Sequence, residues 1–558
     1  MPPSASAILR KLEATRLNYG PGQAEIKFRL LTALETTYLN TAAHVLRLHE
    51  HLCFLRAYPD NALVHARVVR LLKGFAARPD LRRQQIALFD TGIAGTIIHY
   101  RFFWPTARWL AARWPAQLKI DWDSVDEPER LAAALPMLVT PLEANWLRLR
   151  QGDPRKSLAR LCGTYVTDAT FFIKAVEAMP GDHVTREAFF DGLDTPFLLR
   201  PGANTPSRTR AHYARAPVVF LRFQPPRGHR PDLRAELKRP PRTVRSVSIR
   251  EGQNLIDLAQ GAMVTRERDL DNFAYGDPRD VRLVDDGDGL QWAVIGTLPE
   301  RRPLLRATYG MLTLRNGVPI GYVGVDALFR SADLSFNTFP TFRSGEAAYV
   351  FARTLAALGP IFGPRSFTVE PYQLGHHNDE AIESGAWWFY YKLGFRPRNA
   401  KIRELAREEL TRMRVNPQHR SSQATLRRLA QDYLYLETRG ARAPYWPRLA
   451  DFGKKIATHL ATIAAVDRDG ALSSCLEEIN PVLGAWRPTR AITAVHYAWK
   501  NWSAIVSLLP GIRRWSVADR RDLARIISAK GARRDSDYLA LFDSHPKLGR
   551  ALRELTRA

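Results

Sequence analysis

The chain has 558 residues, 45% of them hydrophobic, and carries 82 Lys and Arg against 56 Asp and Glu, which gives a net charge of +26. This length is sufficient for several hydrophobic cores. The sequence contains no run of about 18 apolar residues, which excludes a membrane-spanning helix, and its three cysteines lie far apart, which excludes a disulfide framework and a Cys-x-x-Cys zinc site. We therefore expect a cytoplasmic protein without a bound metal.

The positive charge favours a polyanionic partner such as nucleic acid, because Lys and Arg neutralise phosphates. Only 14 of the 82 basic residues are lysine, however, and the arginines are distributed along the whole chain. The sequence has no basic low-complexity tail, zinc-finger spacing or RNA-recognition motif. A nucleic-acid-binding protein is therefore kept as an alternative to the main prediction.

Residues 1–195 have the apolar spacing of a mainly helical domain. Between Leu30 and Ala42, for example, apolar side chains recur at helical intervals. Prolines and arginines accumulate over 196–248, so we predict a linker or wrapping segment there, with one short strand at 218–223.

Residues 249–400 have the pattern of one helix followed by several strands. A helix is predicted over 252–273, and a hairpin with strands at 281–284 and 291–296 follows it. The dipeptide Asn316-Gly317 suits a two-residue type I′ turn and lies between two apolar runs, so a second hairpin is predicted there. The strands expected in this part are 308–314, 318–329 and 333–339.

Helices and strands alternate in the rest of this region. The predicted elements are a helix at 347–358, a strand at 366–374, a helix at 378–393 and a strand from 395. Asn378 is a suitable N-cap for the second helix, and Gly394 offers a left-handed exit from it.

After residue 400 the pattern is helical again. Helices are predicted over 401–415 and 422–438, and five tryptophans are spaced through apolar helices from 442 onwards. We expect residues 401–558 to form an all-α domain that packs on the central domain or on a second subunit.

Two motifs of the central region resemble those of the GCN5-related N-acetyltransferases, a superfamily of enzymes that use acetyl-CoA. Residues 342–347, Phe-Arg-Ser-Gly-Glu-Ala, are similar to the family's Gln/Arg-x-x-Gly-x-Gly/Ala loop. Residues 389–395, Phe-Tyr-Tyr-Lys-Leu-Gly-Phe, are similar to its Tyr-x-x-x-Gly-Phe ending. The resemblance implies an α+β multidomain protein, in which a mixed-sheet acyltransferase fold over 249–400 is flanked by mainly α-helical regions.

The resemblance also implies a binding site for acetyl-CoA or another acyl-CoA as cosubstrate. In the family, backbone N–H groups of the loop cradle the CoA pyrophosphate at the start of a helix, where unpaired donors and the helix dipole favour an anion. The corresponding residues in this chain are Arg343, Ser344, Gly345, Glu346 and Ala347.

Two catalytic roles follow from the resemblance. By its position in the motif, Tyr390 corresponds to the tyrosine that protonates the departing thiolate. Glu370, on the predicted strand before the second helix, is our candidate for the base that deprotonates the incoming amine, and His376 and His377 are alternatives. The implied activity is direct N-acyl transfer in a ternary complex, and the sequence does not identify the acceptor as a small molecule or a protein.

A non-catalytic protein that keeps the fold for regulation or assembly is the first alternative. It is favoured by Phe342 where the family has Gln or Arg, by the negative charge of Glu346 and by the large helical flanks. The acyltransferase hypothesis predicts a cleft splayed between strands 333–339 and 366–374, and the non-catalytic hypothesis predicts a filled or absent cleft. A homo-oligomer is compatible with either hypothesis.

Overall fold

The structure is a computed structural model that describes residues 4–150, 152–164, 166–216, 219–225, 230–343, 346–438, 449–484 and 494–557. Its contacts divide the chain into two compact units. The first comprises residues 1–226, 254–275 and 315–319, and the second comprises residues 227–253, 276–314 and 320–558.

The N-terminal part of the chain is mainly helical, as predicted. Its helices are α1 (Ala5–Thr15), α2 (Gln23–Thr36), α3 (Ala42–Ala57), α4 (Ala62–Lys73), α5 (Pro79–Arg83), α6 (Trp104–Arg113), α7 (Pro128–Ala134), α8 (Pro141–Arg150), α9 (Pro154–Cys162), α10 (Asp168–Ala178) and α11 (His183–Gly192). Side-chain caps begin several of them: Thr41 and Asn61, for example, accept hydrogen bonds from the first turns of α3 and α4.

A small antiparallel sheet, which the sequence analysis did not predict, completes this region. Its strands are β1 (Ile98–Tyr100), β2 (Leu118–Ile120) and β3 (Phe197–Leu199), in the order β1-β3-β2. Strands of three residues are too short to show an alternating pattern. The rings of Phe172, Phe190 and Phe197 stack in the adjoining core at centroid distances of 5.6 and 5.8 Å.

The segment predicted as a linker contains regular structure. The next elements are α12 (Leu233–Lys238), β4 (Thr243–Ser246), α13 (Ile249–Val264) and α14 (Asp271–Ala274). The expected strand at 218–223 is wrong over 219–223, where no strand forms, and residue 218 lies outside the described residues. The helix expected over 252–273 ends at Val264.

A nine-stranded sheet dominates the second unit. Its remaining strands are β5 (Gly276–Gly287), β6 (Leu290–Thr297), β7 (Ala307–Arg315), β8 (Val318–Leu328), β9 (Ser331–Thr338), β10 (Ser366–Val369), β11 (Arg396–Pro397) and β12 (Leu434–Glu437), in the order β11-β12-β10-β9-β8-β7-β6-β5-β4. The sheet is mixed, as predicted: β9 and β10 are parallel, whereas β8–β9 and β10–β12 are antiparallel.

Helices connect and flank these strands. They are α15 (Ala347–Phe362), α16 (Pro371–Leu374), α17 (Asp379–Glu383), α18 (Ala386–Lys392), α19 (Ala400–Val415) and α20 (Gln423–Leu429). The C-terminal helices are α21 (Leu449–Ile463), α22 (Arg468–Leu483), α23 (Ala494–Leu508), α24 (Val517–Lys530), α25 (Asp535–Ser544) and α26 (Leu548–Arg557). All eight residues of β6 are buried, as expected for a strand in a sheet covered on both faces.

The hairpin predicted at Asn316-Gly317 is confirmed. Asn316 has φ of 48° and Gly317 has φ of 75°, which are the two positive values that a type I′ turn requires. Within the first unit, Asn316 Nδ2 also donates hydrogen bonds to the carbonyl oxygens of Ala57 and Phe220 at 2.9 and 3.1 Å. The turn residue therefore has a packing role as well as a conformational one.

The helix predicted over 378–393 is two helices. Asn378 caps the first, α17, as expected, because its side chain accepts a hydrogen bond from Ala381 N at 3.2 Å. The chain then breaks at Gly385, whose φ is 67°, before α18 begins. Gly394, with φ of 108°, provides the predicted exit, and β11 starts at Arg396.

The helix predicted over 422–438 is wrong in its second half. The helix ends at Leu429, and Leu434–Glu437 form strand β12, which pairs with both β10 and β11. The periodicity of a short apolar run of this kind is compatible with a helix or a strand. Its pairing with neighbouring strands therefore determines which of the two forms.

No helix among the described residues combines the length and the apolar character needed to cross a lipid bilayer.

Candidate functional site

Strands β9 and β10 separate after a short parallel contact. Ser331, Ala332 and Asp333 pair with Ser366, Phe367 and Thr368, and the register ends there. The second strand stops at Val369, whereas β9 continues to Thr338 without a partner on that side. The backbone of β9 beyond Asp333 therefore has no strand partner on the β10 side, and the phenol of Tyr390 forms a hydrogen bond with the backbone of Phe336 there.

A pocket of about 240 Å³ opens beyond this point of divergence. Its walls come from the end of β9, the start of α15 and the segment that carries α16 to α18. The polar groups that line it include Arg343, Asn378, Glu380 and Tyr390. This is the position at which the acyltransferase hypothesis predicts a cleft.

Aromatic rings form the apolar floor of the pocket. Phe336 of β9 lies edge-on to Phe351 of α15 at 5.0 Å and is stacked on Phe389 of α18 at 6.3 Å. Phe351 also contacts the ring of Tyr390 at 5.4 Å. This packing fixes α15 and α18 against the same face of β9.

The predicted phosphate loop leads into α15. Ala347 is the first residue of this helix and lines the pocket, whereas Glu346 is the N-cap residue, is buried, and makes no side-chain cap to the first turn. Ser344 and Gly345 lie outside the described residues. The N-terminus of a helix with 16 residues therefore faces the pocket, with the positive end of its dipole.

Arg343 is held across the pocket by two hydrogen bonds. Its Nε donates to the carbonyl oxygen of Thr338 at 2.9 Å, and its Nη2 donates to Glu380 Oε1 at 2.7 Å. Arg343 and Glu380 are exposed, and both line the pocket. The cation expected at the phosphate loop is thus present, and a carboxylate neutralises it.

Tyr390 lies on α18 with 3% of its surface exposed, and it lines the pocket. Burial raises its pKa above the ordinary value, and the nearby carboxyl group of Asp333 adds to the shift, while a backbone hydrogen bond with Phe336 opposes it. The phenol therefore keeps its proton at neutral pH, and its raised pKa makes it a weaker acid than a free tyrosine.

Glu370 does not lie on the strand, as the sequence analysis expected. It follows β10 directly, is half-buried, and occupies the N-cap position of α16. Burial raises its pKa and the charge of Asp326 raises it further, whereas Arg306 and a hydrogen bond with Gln373 lower it. Gln373 lines the pocket, so Glu370 is one side chain away from the pocket wall.

Asp333 is a candidate that the sequence analysis missed. It lies at the last paired position of β9, where Thr368 Oγ1 donates a hydrogen bond to its Oδ1 at 2.8 Å. Burial, reinforced by the charges of Glu370 and Asp326, raises its pKa to about 7. Asp333 is the first residue of the predicted strand 333–339, and an acidic side chain with apolar neighbours on both sides was the signal that could have identified it.

The other acidic group beside Asp333 is held by a local network. Asp326, opposite Asp333 on β8, accepts a hydrogen bond from Thr308 Oγ1 at 2.5 Å and pairs with Arg306 at 3.0 Å. Tyr433 is close enough that Asp333 and Glu370 add to the effect of burial and raise its pKa to about 12. Arg306 thus acts on two carboxyl groups of this cluster, those of Asp326 and Glu370.

The alternative bases are placed less favourably. His376 and His377 are exposed, their rings contact each other at a centroid distance of 4.1 Å, and neither lines the pocket. Within the described part of the chain, no group of three His, Cys, Asp or Glu side chains could hold a metal ion.

Comparison of the chain with protein-family models, with curated proteins and with solved structures gives no significant match. The site is therefore interpreted from its own geometry.

Proposed function

We propose that the protein is an N-acyltransferase that binds acetyl-CoA or another acyl-CoA at the divergence of β9 and β10. The observation that carries the proposal is the pocket beside the end of β9, beyond its pairing with β10, which is bordered by the start of α15, Arg343 and the buried phenol of Tyr390. A helix N-terminus with an adjacent arginine suits phosphate groups, and an apolar pocket suits an acyl chain.

The size of the pocket defines how much of an acyl-CoA it would hold. A volume of about 240 Å³ lies just below the range of roughly 300–1,000 Å³ that is typical of small-molecule sites. The pocket would therefore enclose one part of the molecule, and the remainder would lie along the surface beside α15 and α17.

The side chains at the site are suited to proton transfer. An acyl-CoA would supply the activated thioester. With a pKa of about 7, Asp333 is partly deprotonated at neutral pH and can accept a proton from an amine. The buried phenol of Tyr390 retains its proton and can donate it to a thiolate. Glu370 is the second candidate base.

Calorimetric titration with acetyl-CoA tests the proposal. We expect micromolar binding by the native protein and at least about a 10-fold loss for Ala347→Glu, because a carboxylate at the first residue of α15 would repel the phosphates. The matched control is Ala348→Glu, which makes the same change one residue further along α15, where the side chain does not line the pocket.

The outcomes separate binding from folding. Loss of binding in Ala347→Glu alone supports the site, whereas equal loss in both variants would point to damage of the helix. If the native protein does not bind acetyl-CoA, the proposal fails.

A non-catalytic role is the second candidate. It is favoured by the small volume of the pocket, by the buried Glu346 at the start of α15 and by the ion pair that already occupies Arg343. In that case the native protein would bind no acyl-CoA.

A further inference from the structure

The helices α19 and α20, inserted between strands β11 and β12, carry a concentrated positive charge. Residues 398–433, which lie between the two strands, contain nine Lys or Arg and four Asp or Glu, which leaves a net charge of +5 on a small fraction of a chain whose total is +26. This excess is larger than a uniform distribution of arginine would give.

Three arginines of α19 share one side of the helix. Arg403, Arg407 and Arg414 are separated by four and seven residues, so they project from the same side at intervals of about 6 and 10.5 Å along the axis. All three are exposed. In the part of the chain that the structure describes, none of their guanidinium groups has a hydrogen-bond or ion-pair partner.

Other arginines near this helix are engaged. Arg427 of α20 donates to Asp379 at 3.0 Å, and Arg398 donates to Glu437 at 2.8 Å. Residues 200–250 are also rich in arginine, and some of these arginines form ion pairs, such as the one between Arg245 and Glu251 at 2.7 Å. The arginine stripe of α19, defined as Arg403, Arg407 and Arg414, differs from these engaged residues because its three guanidinium groups, within the described residues, lie unpaired on one side of a single helix.

This arrangement costs helix stability. Arg403 lies in the first turn of α19, where the positive end of the dipole disfavours a cation. Arg403 and Arg407 form a like-charge pair at i, i+4, which costs a few tenths of a kcal/mol. The exposed acidic residues of the helix, Glu404 and Glu408, lie on the neighbouring edge and not within the stripe.

We propose that the arginine stripe of α19 is a docking surface for the phosphate backbone of nucleic acid. Arginine is suited to phosphate because its planar guanidinium group stays charged and donates two hydrogen bonds in parallel. A lipid surface fits less well, because the apolar side of α19, which includes Ile402 and Ala406, is buried in the protein and cannot enter a membrane.

Fluorescence anisotropy of the full-length protein with a short fluorescein-labelled DNA duplex tests this proposal. At about 0.15 M salt we expect at least a 10-fold loss of affinity in the triple variant Arg403→Gln, Arg407→Gln, Arg414→Gln. We also expect the slope of log K against log salt to fall by about 2 to 3, since each phosphate contact contributes about 0.9.

The control variant Arg82→Gln, Arg83→Gln, Arg155→Gln removes the same charge from exposed arginines of the first unit. It should change affinity by less than about 2-fold. Equal losses in both triple variants would overturn the proposal, because they would indicate binding through net charge alone. Failure of the native protein to bind the duplex would also overturn it, and stripe-dependent binding to vesicles with anionic lipid in place of DNA would assign the surface to membranes.

Discussion

At the scale of single residues, the main result is a difference in proton affinity between Tyr390, which lines the pocket, and Asp333, which does not line it but whose charge acts on Tyr390. Burial keeps the proton on the phenol of Tyr390, while the carboxyl group of Asp333 titrates near neutral pH. When the environments of two neighbouring titratable groups move their pKa values apart, one group commonly serves as the acid and the other as the base. The same groups allow the proposed activity to be tested one atom at a time.

Replacing Tyr390 by Phe removes only the phenolic hydroxyl. If this group protonates a leaving thiolate, turnover of acetyl-CoA with an amine acceptor should fall by about 10² to 10³-fold, while the affinity for acetyl-CoA measured by calorimetry stays the same. The matched control is Tyr391→Phe, because Tyr391 stacks on Trp387 at 5.0 Å and does not line the pocket. Equal turnover in the two variants would remove Tyr390 from the mechanism.

Replacing Asp333 by Asn should stabilise the protein at high pH. The folded-state pKa of about 7 exceeds the ordinary value of 3.8, so the folded protein binds this proton more tightly than the unfolded chain. Asp333 therefore costs stability progressively as the pH rises from about 4 to about 7, and the full cost persists above that range. Asparagine avoids this cost and can still accept the hydrogen bond from Thr368.

Chemical denaturation at two pH values checks this prediction. We expect Asp333→Asn to raise the free energy of unfolding by about 1–3 kcal/mol at pH 8, with little difference near pH 4. A variant less stable than the native protein at pH 8 would show that the ionised carboxylate is well solvated.

Replacing Glu380 by Gln should strengthen acetyl-CoA binding if the proposed function is correct. The carboxylate competes with ligand phosphates for Arg343, and an exposed ion pair of this kind is worth up to about 1 kcal/mol. We expect affinity to rise by about 3-fold in calorimetry, and to change little in Asp379→Asn, whose carboxylate pairs with Arg427 away from the pocket. Weaker binding by Glu380→Gln would mean that Glu380 positions Arg343 for the ligand.

At the scale of elements, the features predicted correctly from the sequence are those that depend on the conformational preference of one or two residues. The turn at Asn316-Gly317, the cap at Asn378 and the exit at Gly394 could be predicted because each depends on the residue itself. The break at Gly385 was missed because apolar side chains continue at helical spacing on both sides of it. The strand β12 was missed because its partners lie far away in the sequence.

The candidate site was predicted to a similar extent. The motif residues Arg343, Ala347 and Tyr390 do line one pocket, because short motifs keep their local geometry. Glu370 was placed on a strand that ends one residue earlier, and Asp333 became a candidate only through pairing and burial. A raised pKa depends on neighbours from several strands, and one sequence does not reveal these.

The break between α17 and α18 can be tested with two glycines. Gly385 has positive φ and space for a methyl group, so Gly385→Ala should destabilise the protein by about 1–2 kcal/mol through backbone strain alone. Gly453 lies inside α21, also with space for a methyl group, and Gly453→Ala should stabilise by about 0.5–1 kcal/mol. Thermal unfolding of the two variants should shift in opposite directions, and a stabilising Gly385→Ala would show that the break is not needed.

At the scale of the whole molecule, sequence order and spatial order differ. Each compact unit is built from three separate stretches of the chain, so residues 254–275 and 315–319 belong to the first unit although they lie between parts of the second. The mixed sheet likewise takes its strand β12 from beyond residue 400. No cut at a single position therefore separates the two units with both intact, and the boundaries proposed from composition stay a prediction.

The late arrival of β12 has a consequence for synthesis of the protein. About 65 residues separate the end of β10 from the start of β12, and a ribosome needs roughly 3 to 13 s to add them. Until then the outer side of β10 has no neighbour, and such an unpaired edge can associate with another nascent chain. Slowing translation over residues 370–433 should therefore favour aggregation of the newly made protein, because α19 and α20 are synthesised before the strand that closes the edge.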